Sequence, residues 1–227
     1  PSSAAPHAEH EASGPADTWQ VDGCRAKEGQ CGFALTALSG LKARLEGGIR
    51  RSPWQEFLAK GSSGPVLPHR RLRIALAACP NACSQPQIRD IGLIACLDPG
   101  GVRANCTGCG QCVEACREDA IAMDNDRARL HPGRCLGCGL CVRTCPEEAI
   151  EAQEVRYRVL LGGRLGRHPR WATELPLKVA PDRLGEMMEG LLSEILRSAE
   201  SGERFSDAVE RLGAERLAGM ASPRREA

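Results

Sequence analysis

Thirteen cysteines carry the chemistry of this chain, and eight of them fall into two matching runs. Cys106, Cys109, Cys112 and Cys116 form the first run. Cys135, Cys138, Cys141 and Cys145, followed by Pro146, form the second with the same spacing. Each run is one copy of an internal repeat, Cys-Thr-Gly-Cys-Gly-Gln-Cys and then Cys-Leu-Gly-Cys-Gly-Leu-Cys. Three thiols on a short loop broken by glycines can reach one face of a small metal cluster, and in this spacing the fourth thiolate crosses over from the other run. The pattern therefore predicts two 4Fe–4S clusters, one on Cys106, Cys109, Cys112 and Cys145, the other on Cys116, Cys135, Cys138 and Cys141. Zinc takes four ligands as two pairs, not as two runs of four. Neighbours this close in sequence, and an odd total, do not suit a disulfide framework. Centres of this kind move electrons one at a time.

Outside the runs lie Cys24, Cys31, Cys79, Cys83 and Cys96. Cys24 with Cys31, and Cys79 with Cys83, are two pairs that could hold a third cluster; the alternative for all four is a free thiol. Cys96 sits in an apolar run without a partner and is expected to be a buried free cysteine. Arg117 takes the place of the proline that usually follows the fourth cysteine, and His131, between the runs, reads as a surface residue. The Asn105-Cys106-Thr107 sequon is a chance match.

Composition excludes several function classes. The 30 Lys and Arg balance 29 Asp and Glu, and aromatics are 3% of residues, so neither a basic field nor a base-stacking surface marks a nucleic-acid binder. No apolar run is long enough to span a bilayer, and residues 1–17 lack the apolar core of a signal peptide. The thiol-rich pattern fits a reducing cytoplasm.

The elements that must position the thiols are legible in outline. Residues 1–18 are rich in Ala, Ser, Pro and His and read as a disordered tail; His7 and His10 are solvated residues there. Phe33, Leu35, Leu38, Leu41 and Leu45 recur at helical spacing and predict a helix over residues 32–46, stopped by Gly47 and Gly48. Pro53 opens a second helix over residues 54–60, ended by the turn at 61–65. Alternating Leu72, Ile74 and Leu76 predict a strand that runs into Cys79, residues 88–96 a second, closed by a turn at 98–101, and residues 155–161 a third. Asp182 is the expected N-cap of a helix whose buried face carries Leu184, Met187, Met188, Leu191, Leu192, Ile195 and Leu196. One last helix is expected over residues 204–219.

The run Cys79-Pro80-Asn81-Ala82-Cys83 and the residues after it, to Gly92, resemble the sirohaem-proximal signature of the sulfite and nitrite reductase family. That family holds one 4Fe–4S cluster on a Cys-x5-Cys pair and a downstream Cys-x3-Cys pair. Here Cys79 and Cys83 keep the second spacing, while Cys24 and Cys31 have one residue more than the first. The resemblance implies that Cys24, Cys31, Cys79 and Cys83 ligate a third cluster and that Cys83 also bridges to the sirohaem iron, as the catalytic cysteine. Residues 157–170, with Gly162, Gly163, Gly166 and Pro169, are similar to the family's returning strand and glycine-rich turn, and residues 202–213 to its C-terminal ending. A ferredoxin inserted after the sirohaem-proximal cysteines is similar to the anaerobic sulfite reductase catalytic subunit and its dissimilatory relatives.

This resemblance implies an α+β fold, a mixed-sheet domain of the sirohaem type interrupted by a bacterial-ferredoxin-like insert. The expected division is a first part over residues 19–102, the insert over 103–150, and a second part with the closing helices over 151–222. Sirohaem carries carboxylates and sulfite is an anion, so cations and polar donors are required. The candidates are Asn81, Gln87, Arg89, Arg164 and Arg167, with His168 and Arg170 beside them. The implied function is six-electron reduction of sulfite to sulfide, or of nitrite to ammonia, fed by an electron-donor protein or subunit. The alternatives are an electron-transfer subunit without catalysis, or one half of a shared sirohaem site. The family's upstream domain has no counterpart before Trp19, which leaves three readings: the chain is a fragment, a partner subunit completes the pocket, or catalysis has been lost.

Overall fold

The computed structural model describes residues 18–24, 31–60, 70–200 and 203–221. The expected tail up to residue 17, with His7 and His10, and the turn at 61–65 lie outside the described residues. The chain runs β1 (Trp19–Gly23), α1 (Ser39–Arg51), α2 (Trp54–Lys60), β2 (Leu72–Ala77) and β3 (Ile91–Cys96). It continues through β4 (Pro99–Val102), α3 (Gln111–Ala115), β5 (Ile121–Asp124), β6 (Arg127–Leu130), α4 (Leu140–Thr144) and β7 (Ile150–Ala152). Then follow β8 (Arg156–Leu161), β9 (Thr173–Val179), α5 (Leu184–Arg197), α6 (Phe205–Leu212) and α7 (Ala214–Ala221).

One mixed five-stranded sheet in the order β1-β2-β3-β8-β9 organises these elements. β1, β2 and β3 are parallel; β8 runs antiparallel to β3, and β9 antiparallel to β8. The alternation read from the sequence sets which face is covered. Leu72, Ile74 and Leu76 join Ile91, Leu93, Tyr157, Val159 and Leu161 in one core with the apolar faces of α1, α5 and α6. Every residue expected on the inner face of α5 is buried. The other face is narrower, with Ala77, Ile94 and Leu160 closed over by Ala82 from the loop that follows β2. Among the described residues no helix is long and apolar enough to cross a membrane.

Several expectations are corrected. The first helix begins at Ser39 and runs through Gly47 and Gly48 to Arg51. These glycines do not stop it. A Cβ at position 48 would fall on the Gly185 carbonyl and 3.1 Å from Met188 Cβ, so glycine there lets α1 and α5 cross in close contact. Burial of Leu41, Leu45 and Ile49 outweighs the poor helix propensity of two glycines. Residues 98–101 are not a simple turn, because Pro99–Val102 pair with Ile150–Ala152. Asp182 lies in a single 3-10 turn, Pro181–Arg183, and the cap position falls on Arg183 with no side-chain cap bond. The last helix is two, because Gly213 adopts φ +78° between α6 and α7. β1, β9 and the hairpin β5–β6 had no counterpart in the sequence reading. In that hairpin Asn125 and Asp126 both take positive φ, the backbone of a tight two-residue turn.

The glycine crossing gives a first prediction. Gly48→Ala should destabilise the fold by about 1–3 kcal/mol, the usual cost of overpacking a tight contact. A urea midpoint unchanged from the parent would refute the crossing described here.

Candidate functional site

The two cysteine runs occupy matching backbone. In each, the glycines between thiols take positive φ, +72° and +78° at Gly108 and Gly110, +70° and +67° at Gly137 and Gly139. Residues with side chains rarely adopt this conformation, and here it coils each loop, whose three leading cysteines line one cavity. A one-turn helix follows each loop, α3 after Gly110 and α4 after Gly139. The fourth cysteine of each run receives an amide four residues on: Ala120 N donates to Cys116 Sγ at 3.3 Å, and Ala149 N to Cys145 Sγ at 3.3 Å. Asp119 and Glu148 share φ +49° in these turns.

Two cavities group the thiols across the two runs. Cys106, Cys109, Cys112 and Cys145 line one cavity, and Cys116, Cys135, Cys138 and Cys141 another. Burial pushes Cys141 up to about 11, with the charges of Cys135, Cys138 and Cys116 adding to it. Burial likewise raises Cys112 and Cys135, each with thiols of its own group adding a smaller effect. Cys106 is lowered instead, by the backbone N–H groups of Ala128 and Gly108. Crowded, desolvated thiols ionise together only if a cation supplies the compensating charge, which makes the donor set fit iron–sulfur clusters. Among the described residues no group of three or more His, Cys, Asp or Glu side chains is placed to hold a metal ion. In a multi-iron cage each sulfur meets its own iron, so its thiols stand further apart than on one zinc ion.

A third group forms at the carboxyl ends of the parallel strands, where open sheets of this kind place ligands. Cys24 follows β1, and its N–H donates to Leu76 O at 2.9 Å. Cys79 follows β2 and is raised by burial, then lowered by the Asn81 backbone N–H, then raised by the charges of Cys31, Cys83 and Cys24. These four distant cysteines are therefore electrostatic neighbours. Ala82 at φ +51° and Gln85 at φ +56° fold the 79–85 loop, and Ser84 Oγ ties it to Leu76 O at 2.7 Å. Cys79 is buried while Cys83 is exposed. Cys96 is buried, with its thiol donating to Arg156 O at 3.4 Å.

The polar candidates separate into two places. Asn81 is exposed beside Cys83. Gln87 and Arg89 lie further along the connection between β2 and β3, with their backbones against Gly163 and away from the thiols, and the Arg89 side chain reaches to 3.9 Å from Asp22. Arg164 is not brought to the thiols. It follows the end of β8 that lies beside the start of β3, at the far end of the sheet from Cys79. There its Nη1 donates to Asp207 at 2.7 Å and to Ser206 Oγ at 3.1 Å. Arg170 bonds Ser206 O and pairs with Asp207 and Glu210, and Arg167 and His168 are exposed on the turn between them.

That far end holds a cavity the sequence reading missed, about 420 Å³, lined by Arg70, Arg71, Arg73, Arg164, Arg204 and Asp90 among others. The only sequence signal was the clustering of Arg70, Arg71 and Arg73 at the start of β2. Burial pushes Asp90 up to about 6, against the lowering effect of the Arg73 N–H at 2.8 Å and the charges of Arg73 and Arg89. A carboxyl whose pKa is higher folded than unfolded binds its proton more tightly in the native state. Stability should therefore fall as pH rises from about 4 to about 6, and remain lower above that. Asp90→Asn, which keeps an acceptor for the Arg73 N–H, should flatten this slope and gain about 2 kcal/mol at pH 7. Denaturant midpoints that do not change across that range in the parent would refute the burial argument.

Comparison with known proteins places most of the chain in one family. Residues 27–224 match the family described as the nitrite and sulphite reductase 4Fe-4S domain. The coenzyme F420-dependent sulfite reductase of Methanocaldococcus jannaschii is 37% identical over 145 residues, which are 63% of this chain and 23% of that protein. One of the subunits of the anaerobic sulfite reductase of Salmonella typhimurium is 30% identical over 101 residues, 43% of this chain and 25% of that protein. The chain thus spans about a quarter of the length of the curated relatives it matches. A crystal structure of dissimilatory sulfite reductase I shares the fold with a TM-score of 0.57 at 15% identity, over 88% of this chain and 51% of that one. With the sheet, its strand-end thiols and the closing helices nearly all inside the matched span, this chain belongs to the nitrite and sulphite reductase 4Fe-4S domain family.

Proposed function

We propose that this chain is the iron–sulfur part of a sirohaem-dependent oxidoreductase that reduces sulfite to sulfide, or nitrite to ammonia. The observation that carries the proposal is the gathering of Cys24, Cys31, Cys79 and Cys83 at one end of the sheet, across a sequence gap that no local motif could bridge. Two further groups of four thiols in the insert fit the same chemistry.

Each residue then has a role. Cys106, Cys109, Cys112 and Cys145 hold one cluster, and Cys116, Cys135, Cys138 and Cys141 the second. Cys24, Cys31, Cys79 and Cys83 hold the third. Cys83, the exposed member of its group, would be the thiolate that couples this cluster to the sirohaem. Asn81, Gln87 and Arg89, on the same connection, supply donors and a cation to the macrocycle's carboxylates. Arg167 is an exposed cation for an anionic group at the other end of the connection, on the turn that Arg164 anchors through Asp207. When bound, the clusters store and pass single electrons and the sirohaem holds the small anion on its iron, with the protein tuning both. The N–H groups aimed at Cys106 favour its anionic thiolate, and backbone amides also donate to the sulfurs of Cys116 and Cys145. An electron-donor protein supplies the reducing equivalents, and a partner polypeptide or segment closes the open side at Cys83.

Anaerobic loading of the chain tests this. Three clusters and one sirohaem correspond to roughly thirteen iron atoms per chain, against roughly eight for an electron-transfer module with the insert alone. The visible spectrum should carry isobacteriochlorin bands, which iron–sulfur clusters lack. Cys83→Ser should abolish the coupling between sirohaem and its cluster while the insert retains its iron. Unchanged sirohaem bands in that variant would remove Cys83 from its assigned role, and iron near eight with no macrocycle would leave only the electron-transfer reading.

A further inference from the structure

The two halves of the insert are near copies in sequence, yet the fold treats them differently. The second run is bonded to the sheet. Leu97 N donates to Gly137 O at 2.7 Å, and Leu97 forms a β-bridge with Cys138. Gly139 comes so close that a Cβ there would stand 2.8 Å from Leu97 Cδ2 and 3.3 Å from Leu35 Cδ2. From α4, Arg143 Nη1 donates to Gly32 O at 2.8 Å, and Gly32 is the residue after Cys31. Leu35 N in turn donates to Ala78 O at 2.8 Å, just before Cys79. An unbroken line of contacts thus joins the Cys138 loop to the loops that carry Cys31 and Cys79.

The first run makes its close approaches within the insert. A Cβ at Gly108 would meet the Asp126 backbone of the β5–β6 hairpin, and one at Gly110, the counterpart of Gly139, would meet open space. Its Cys109 is exposed, while Cys138, the matching residue of the second run, is half-buried. The sequences diverge in the same sense: Thr107 and Gln111 are polar where Leu136 and Leu140 are apolar.

We propose that Arg143 and Gly139 are positioning residues that hold the thiols of the second run against the Cys31 loop, and that the first run, around Cys109, is the face offered to an electron-donor protein. This rests on the assignment of the three thiol groups to clusters. Electron transfer between centres weakens steeply with separation, so contacts that fix the spacing between two thiol groups set how strongly the centres they hold interact. A single arginine bond to a carbonyl and one glycine-sized gap are enough to fix it, since both act next to a ligand.

The test uses the anaerobically loaded full chain. Arg143→Ala should leave iron content and visible absorption as in the parent. Amide exchange over residues 32–35 should quicken about tenfold, as expected when a local hydrogen bond is lost. The magnetic interaction between reduced centres, read by electron paramagnetic resonance, should weaken, and Arg143→Lys should restore part of it. Thr107→Glu should leave both signals unchanged yet slow reduction by a reduced bacterial ferredoxin several-fold, with reduction by dithionite unaffected. The proposal is overturned if Arg143→Ala keeps parental exchange and magnetic interaction. It is also overturned if Leu136→Glu, on the second run, is the variant that slows the ferredoxin. Iron near eight per chain would sink the three-cluster assignment separately, because the exchange readout on residues 32–35 does not depend on it.

Discussion

A thiol taken out of water holds its proton, and several thiols crowded together hold theirs more tightly still. The rest of this structure depends on that constraint. The raised positions of Cys79, Cys112, Cys135 and Cys141 are led by burial and sharpened by neighbouring sulfurs. Gathering such groups is unfavourable for the bare polypeptide and becomes favourable once iron supplies opposing charge, so metal binding and completion of the local fold are coupled. The backbone helps with geometry rather than with charge: left-handed glycines coil the loops, and amides at Ala120 and Ala149 point at sulfur.

The sheet provides the rigid frame. Its parallel half ends at Cys24 and Cys79, and the loop after Cys79 folds back so that Ala82 covers the face formed by Ala77, Ile94 and Leu160. On the opposite face, α1 and α5 cross through Gly48 and Gly185. A strand-end site needs this because its ligands come from separate loops, and small shifts between strands would move one sulfur relative to another. Asn81 stays with the thiols, whereas the backbones of Gln87 and Arg89 lie against Gly163 towards the other end, where Arg164 and Arg170 are committed to Asp207 and Glu210 and hold the turn after β8 to α6.

The insert was the most legible part of the sequence, because three-residue spacing with interleaved glycine is a local code. The third group was not readable from spacing alone: Cys24 and Cys31 reach Cys79 and Cys83 only through the parallel pairing of β1 with β2, which a sequence pattern does not encode. Gly47 and Gly48 signalled a helix end by local rules, but the reason for Gly48 is the tertiary contact with Gly185, which overrides propensity. β9 was missed although Leu175, Leu177 and Val179 alternate, since Pro176 argues against a central strand. β9 lies at the sheet edge, and Pro176 falls where its register with β8 shifts, so the missing N–H disrupts no regular ladder there. The arginine-lined cavity was invisible for a similar reason, being assembled from α2, the start of β2, the turn after β8 and the start of α6 across much of the chain.

The pairing of β4 with β7 has an architectural consequence. Pro99 stands opposite Ala152 and Val102 opposite Ile150, while Cys96 and Arg156 remain partners in the main sheet. The polypeptide thus leaves and re-enters the sheet through one narrow gate, and everything between is a long embellishment of a single antiparallel hairpin. A short turn joining β3 to β8 would close the same ladder. The segment between is in this sense a cartridge, since the strand order of the main sheet does not run through it.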